Sequence, residues 1–336
     1  MSRDRARRDW VAAWLGQAGF ELAPASEDAS FRRYFRVRSG DESWILMDAP
    51  PDREPLGPFL RVTDLLRATG VNVPEVLARD EAQGFLLLTD FGSTLYLDVL
   101  DEDNADRLYG DALGALAAIQ ACGPRGDELP PYDRELLLAE MDLFRDWLLG
   151  THLRLALSPA EERLLQACFA LLADAALEQP RVCVHRDYHS RNLMLTGRHD
   201  PGIIDYQDAV IGPVTYDLVS LLRDCYIAWP RSRVEDWALG YHDLALQSGI
   251  LPEDAADEAR FLRWFDWMGV QRHLKAAGIF ARLYRRDGKP GYLADIPRTL
   301  NYLVEVTAGH PALAPLGTLV QERVLPALAE AARSEA

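Results

Sequence analysis

The sequence predicts an α+β chain of two lobes, a small β-rich lobe over residues 1–92 followed by a large, mostly helical lobe over 93–336. Three observations predict it. Short alternating or apolar runs bounded by turn residues are concentrated before residue 92, at 31–37, 44–47, 73–77 and 85–89. Beyond residue 103 most apolar residues recur at helical spacing. The 336 residues also contain no repeat, low-complexity tract or long linker, so the two patterns belong to one folded body of ordinary composition, 49% hydrophobic and 26% charged.

Taken in order, residues 8–19 place Trp10, Val11, Trp14 and Leu15 on one helical face, a short helix expected to pack on the first lobe. Residues 31–37 alternate as a strand, and 44–47 form a second strand after a turn at 39–42. This hairpin is entered through a small polar loop over 25–30. A helix over 58–69 buries Phe59, Val62, Leu65 and Leu66 and stops at Gly70. The strands 73–77 and 85–89 then lead to Asp90-Phe91-Gly92. In the second lobe helices are expected over 106–121, 134–149, 234–247, 255–281, 296–307 and 316–332. Another begins at Ser158-Pro159-Ala160-Glu161, a capping box with proline at the first helical position, and runs to residue 177.

Between these helices lies the stretch that carries the chemistry. Residues 181–184 are β-prone and an apolar run resumes at Leu193. Between them His185-Arg186-Asp187-Tyr188-His189-Ser190-Arg191-Asn192 reads H-x-D-x-x-x-x-N. A further apolar run, Gly202-Ile203-Ile204, is tipped by Asp205. Phosphoryl transfer by kinase-like folds needs these parts: a carboxylate to orient the acceptor hydroxyl and take its proton, and an amide with a second carboxylate to hold magnesium on the phosphates. Asp187 is the candidate for the first role, and Asn192 and Asp205 for the second, since magnesium prefers oxygen ligands. A polar hairpin with surface acids would not require an acid-tipped apolar strand at that distance. Only residues 206–215 separate Asp205 from the helix expected at Tyr216, too few for a segment that presents a protein substrate, so a small acceptor is expected.

The stretch resembles the aminoglycoside phosphotransferase superfamily of small-molecule kinases, where His189 matches the histidine found two residues after the catalytic aspartate. The resemblance implies a two-lobe, protein-kinase-like fold using ATP and Mg2+. Asp90-Phe91-Gly92 precedes Asp187 by too much to be the magnesium triplet. Leu88, Thr89 and Asp90 suit the hinge, whose backbone meets adenine.

One departure narrows the family. Lysine occurs only at 275 and 289, so the third-strand position that normally carries the phosphate lysine is Met47. Either Arg32 or Arg33, near Ser30 of the entry loop, reaches the phosphates, or the protein binds nucleotide without transferring phosphate. The stretches 25–36, 46–51, 267–275, 278–283 and 286–289 resemble the cell-wall amino-sugar kinases, in which methionine at this place is usual. That likeness implies phosphorylation of the anomeric C1 hydroxyl of N-acetylmuramate and N-acetylglucosamine in peptidoglycan recycling. On the aromatic-rich helix, Arg263, Gln271, Arg272 and His273 are the substrate candidates, with Arg272 or Arg263 expected to meet the lactyl carboxylate. An aminoglycoside or other small-alcohol phosphotransferase is the enzyme alternative, and a non-catalytic ATP-binding regulatory module the alternative of another class.

Composition excludes other classes. A net charge of −16 disfavours nucleic acid and anionic membrane as partners. No apolar run reaches the length of a membrane span, and the Arg-rich start lacks the apolar segment of a signal peptide. The four cysteines show no paired or zinc-binding spacing and are read as free thiols in a reducing, cytoplasmic setting. Oligomeric state is left open, with a monomer as the default.

Overall fold

The computed structural model describes residues 2–26 and 31–335. The chain forms helices and an antiparallel sheet, an α+β fold. It divides into two compact units, Met1–Ala115 with Arg191–Asp208, and Leu116–Ser190 with Ala209–Ala336. The cut is therefore not at residue 92, and a segment of the catalytic stretch returns to the first unit. The reason is backbone pairing: Leu195 N–H donates to the Thr94 carbonyl at 2.9 Å and Ile203 N–H to that of Asn72 at 2.8 Å.

In the first unit, helix α1 (Arg3–Leu15) starts on a Ser2 cap and ends on Gly16 in the left-handed region. Five strands follow: β1 (Glu21–Ser26), β2 (Arg33–Ser39), β3 (Glu42–Asp48), β4 (Val76–Asp80) and β5 (Phe85–Thr89). They form one sheet in the order β1-β2-β3-β5-β4. Helix α2 (Leu56–Ala68) lies in sequence between β3 and β4. Alternation along the strands sorts the side chains into two sets. Val37, Leu46, Phe85 and Leu87 form a core cluster with Val11 of α1, packed around by Trp10, Phe35 and Trp44. Asp48, 1% exposed on β3, takes Arg3 at 2.6 Å and Arg7 at 3.1 Å from α1. A buried carboxylate needs such partners, and these two clamp the helix onto the sheet.

Two strand readings change. Glu21–Ser26 is a strand, paired with β2 and bulged between Pro24 and Ser26. Proline is tolerated there because β1 is an edge strand. The run expected at 73–77 begins pairing only at Val76, beyond Pro74, which has no N–H to give.

In the second unit the helix Arg134–Leu143 widens into a π-helical stretch, Phe144–His152. It packs against the long helix Glu258–Asp287. Contact is closest at Gly278, where a Cβ would stand 2.3 Å from the Leu143 carbonyl carbon, so no other residue fits without displacing backbone. The strand Arg181–Val184 pairs with Val210–Pro213 rather than with Leu193–Met194, which instead pairs with Gly202–Ile203. The expected single hairpin is thus two ladders. Cys168, Cys183 and Cys225 are buried and Cys122 is exposed, all free thiols.

Candidate active site

Asp187 sits in the loop that leaves the strand Arg181–Val184. Three buried groups shape that loop. Asp217, at the start of the helix Tyr216–Leu222, accepts the His185 N–H at 2.6 Å and the Arg186 N–H at 3.0 Å. This is the bracing role expected of it; burial still pushes its carboxyl up to about 7 against those two donors. Asp224 accepts the Ser190 N–H at 3.0 Å and the Ser190 hydroxyl at 2.5 Å. His185 Nδ1 accepts the Asp187 N–H at 3.3 Å. Arg186 has φ of 79°, a left-handed conformation that costs an arginine energy and persists because its surroundings fix it.

The charge around Asp187 is cationic. Burial alone would raise its carboxyl pKa, but Lys275, His189, Arg272 and Arg186 together hold it down to about 2. Lys275 lies on the long helix, 6% exposed, donating to the Tyr216 hydroxyl at 2.9 Å and standing 3.1 Å from Glu140. Glu140 also takes Arg186 and the Tyr132 hydroxyl, and Gln271 at 3.4 Å. Burial pushes the Glu140 carboxyl up, and Lys275 and Arg186 more than offset it, so it remains ionised. Two cations therefore share one anion, and the surplus positive charge acts on Asp187. Sequence reasoning missed this cluster. The one signal was Lys275 itself, one of only two lysines in the chain.

Asn192 and Asp205 come together within the first unit. Asn192 Nδ2 lies 3.4 Å from Asp205 Oδ2, and the Asn192 carbonyl accepts the Ile204 N–H at 3.1 Å. Asp205 has φ of 65°, and Gln207 donates to its Oδ1 at 2.8 Å. Tyr206, the next residue, stacks on Phe59 of α2 with ring centroids 5.3 Å apart, and its hydroxyl lies 2.9 Å from that of Thr63. This anchorage holds the strained turn that aims the aspartate.

Of the nucleotide-side candidates, Ser30 lies outside the described residues. Met47 is fully buried on β3 and Leu88 is 3% exposed on β5. The Thr89 N–H is taken by the Glu75 carbonyl at 3.1 Å. Asp90 is forked by Arg36, with contacts of 2.7 and 3.1 Å, and accepts the Gly92 N–H at 2.9 Å. Burial works against that ionised carboxylate, but Arg36 and Gly92 keep its pKa below the ordinary value. Both of its oxygens are engaged by Arg36 and Gly92. Arg32 pairs with Glu54 at 3.0 Å, both side chains largely covered, whereas Arg33 is exposed at the start of β2.

On the long helix the four substrate candidates part company. Arg263 pairs with Glu178 at 3.0 Å, and both side chains are more than two-fifths exposed. Gln271 reaches Tyr132 and Glu140, and His273 Nε2 lies 2.8 Å from the Arg223 carbonyl, its ring stacked on Tyr302. Burial drives the His273 pKa down to about 3, so it is neutral. Arg272 is buried, 3.7 Å from Cys225 Sγ, with its charge acting on Asp187 and Asp224. Of the two arginines expected to receive a substrate carboxylate, Arg263 lies against Glu178 on the surface, and Arg272 acts on buried acids with its Nε left without a hydrogen-bond partner.

Comparison with known proteins agrees with this geometry. Residues 21–249 match the family described as "Phosphotransferase enzyme family". The N-acetylmuramate/N-acetylglucosamine kinase of Pseudomonas putida is 48% identical over 310 residues, covering 92% of this chain and 90% of its own. Its namesake from Pseudomonas aeruginosa is 50% identical over 312 residues, covering 93% and 90%. Among solved structures, choline kinase LicA from Streptococcus pneumoniae superposes with a TM-score of 0.60 at 12% identity, over 90% of this chain and 99% of that one. An aminoglycoside 2'-phosphotransferase-IIIa gives 0.59 at 15% identity, over 92% and 99%. Identities that low speak for the fold alone, which is protein-kinase-like. The chain belongs to the phosphotransferase enzyme family and stands within it beside the kinases named for N-acetylmuramate and N-acetylglucosamine.

Proposed function

We propose that the protein transfers the γ-phosphoryl group of ATP to the C1 hydroxyl of N-acetylmuramate and N-acetylglucosamine, with Mg2+ as the metal. The observation that carries the reading is Asp187, a half-buried carboxylate kept ionised by the cations around it. In a loose transition state the acceptor loses its proton late, so Asp187 first orients the hydroxyl and then accepts the proton as the new O–P bond forms and ADP leaves. The cations also compensate charge on the transferring group. Asp205 and Asn192 offer a carboxylate and an amide oxygen, hard donors that fit Mg2+. The metal would supply charge neutralisation at the phosphates. Arg32, held by Glu54, is the better replacement for the missing lysine; Leu88, Thr89 and Asp90 are assigned to the nucleotide base, beside Met47.

The same charge disfavours an aminoglycoside acceptor, because a polycation gains from acids and here meets Lys275, Arg272 and Arg186. Sugar-dependent ADP release with ATP, Mg2+ and a panel of amino sugars tests the reading. N-acetylmuramate and N-acetylglucosamine should support turnover, and Asp187→Asn should lower kcat by about a hundredfold or more. Absence of sugar-dependent turnover leaves the nucleotide-binding module; retention of most of kcat in Asp187→Asn removes the base.

A further inference from the structure

The long helix carries a cation that neither the cluster at Asp187 nor the helix packing accounts for. Along the face that begins at Lys275, the residues at helical spacing are Ile279, Arg282 and Arg286. Exposure rises along that face: Lys275 is buried, Ile279 and Arg282 are half-buried, and Arg286 is exposed. The face thus runs from the buried cluster at Lys275, whose charge acts on Asp187, out to solvent at Arg286.

Arg282 stands on that face, between the buried and the exposed end. Its Nε is shielded from solvent and has no hydrogen-bond partner, and among the described residues no carboxylate forms an ion pair with it. Asp287, the nearest candidate by sequence, is forked by Arg286, with contacts of 2.8 and 2.9 Å. Burial and the like charge of Arg286 both push the Arg282 pKa down, with Asp287 opposing them. A half-buried guanidinium in this condition is poised for an anion brought from outside, since pairing would relieve both costs.

We propose that Arg282 recognises the lactyl carboxylate of N-acetylmuramate and so sets the preference between the two sugars. The proposal rests on the amino-sugar kinase reading given above. Two helical turns, about 10 Å along the axis, separate Arg282 from Lys275. Helical side chains lean toward the N-terminus, so the Arg282 side chain reaches back toward the level of Lys275. N-acetylmuramate carries its lactyl group on C3, two ring atoms from the C1 hydroxyl that Asp187 would orient. N-acetylglucosamine has no carboxylate and makes no demand on Arg282.

Steady-state kcat/KM for both sugars in the wild type, Arg282→Gln and Arg282→Lys tests this. Arg282→Gln should lose roughly thirtyfold or more on N-acetylmuramate, the scale of a buried charge left unpaired, and change N-acetylglucosamine turnover by less than about threefold. Arg282→Lys keeps the charge without the fork and should recover part of the lost N-acetylmuramate activity. A residue that merely braced the helix would lower both sugars together and lower Tm. Parallel losses, or an unchanged N-acetylmuramate rate in Arg282→Gln, overturn the proposal alone. Wild-type protein that phosphorylates neither sugar overturns the reading beneath it.

Discussion

Lys275 shows how a residue remote in sequence sets the chemistry of a local motif. Of the cations around Asp187 it acts most strongly, and desolvation of the carboxylate is the effect it must overcome. Only the ionised carboxylate can accept the acceptor's proton, and the ionised fraction falls as pH drops through its pKa. With that pKa held at about 2, the wild type should show no acid limb from Asp187 across the range where kinases are assayed. Removing one cation raises the pKa, so in Lys275→Met an acid limb of kcat/KM should appear at higher pH, while Lys275→Arg should keep the wild-type profile. The groups that still face Asp187 in that variant are His189, Arg272 and Arg186. Breaking the buried pair with Glu140 should also cost about 3–5 kcal/mol of stability. Absence of an acid limb in folded Lys275→Met would mean that Lys275 only supports the packing. The candidates Asp187, Asn192 and Asp205 could be named from the sequence because one short motif and one acid-tipped strand hold all three. Glu140 could not, since it meets Arg186 across 46 residues and no local pattern announces that contact.

β2 and the approach to α2 support Arg32, rather than Arg33, as the proposed replacement for the absent phosphate lysine. Arg33 opens β2 and is exposed, while Arg32 just before it is covered and held by Glu54, which also lies 3.3 Å from the Phe31 N–H. Arg32→Ala should therefore raise the ATP KM or lower kcat by tenfold or more, on the scale of a lost charge-assisted contact of about 1.5 kcal/mol. Arg33→Ala should be nearly silent, and the opposite ranking would reverse the assignment. Strand alternation in the sequence required that the two differ but did not say which is covered; the partner Glu54 settles the side chain's place, and nothing local predicts it. The major helices were legible from their periodicity. The strands at Glu21–Ser26 and Val210–Pro213 were not, because Pro24 and Gly212-Pro213 are turn residues that an edge strand and a short ladder tolerate. The π-helical stretch Phe144–His152 was also hidden: it lies where Gly278 admits the Leu143 backbone, a contact between elements far apart in the chain.

For the whole molecule, the net charge of −16 and the cationic setting of Asp187 have opposite signs, so the bulk composition says nothing of the acceptor. The change of periodicity near residue 92 falls inside the first compact unit, which runs to Ala115, so that boundary was not legible. Nor was the return of Arg191–Asp208 to the first unit, because it rests on backbone pairing with residues 72 and 94–95. Phosphorus NMR of the product separates transfer to the anomeric hydroxyl from transfer to any other position. Incubation with ATP, Mg2+ and N-acetylglucosamine should give a phosphomonoester resonance coupled to the anomeric proton H1. A phosphomonoester coupled instead to the C6 protons, or ATP that remains intact beside unchanged sugar, would contradict anomeric transfer.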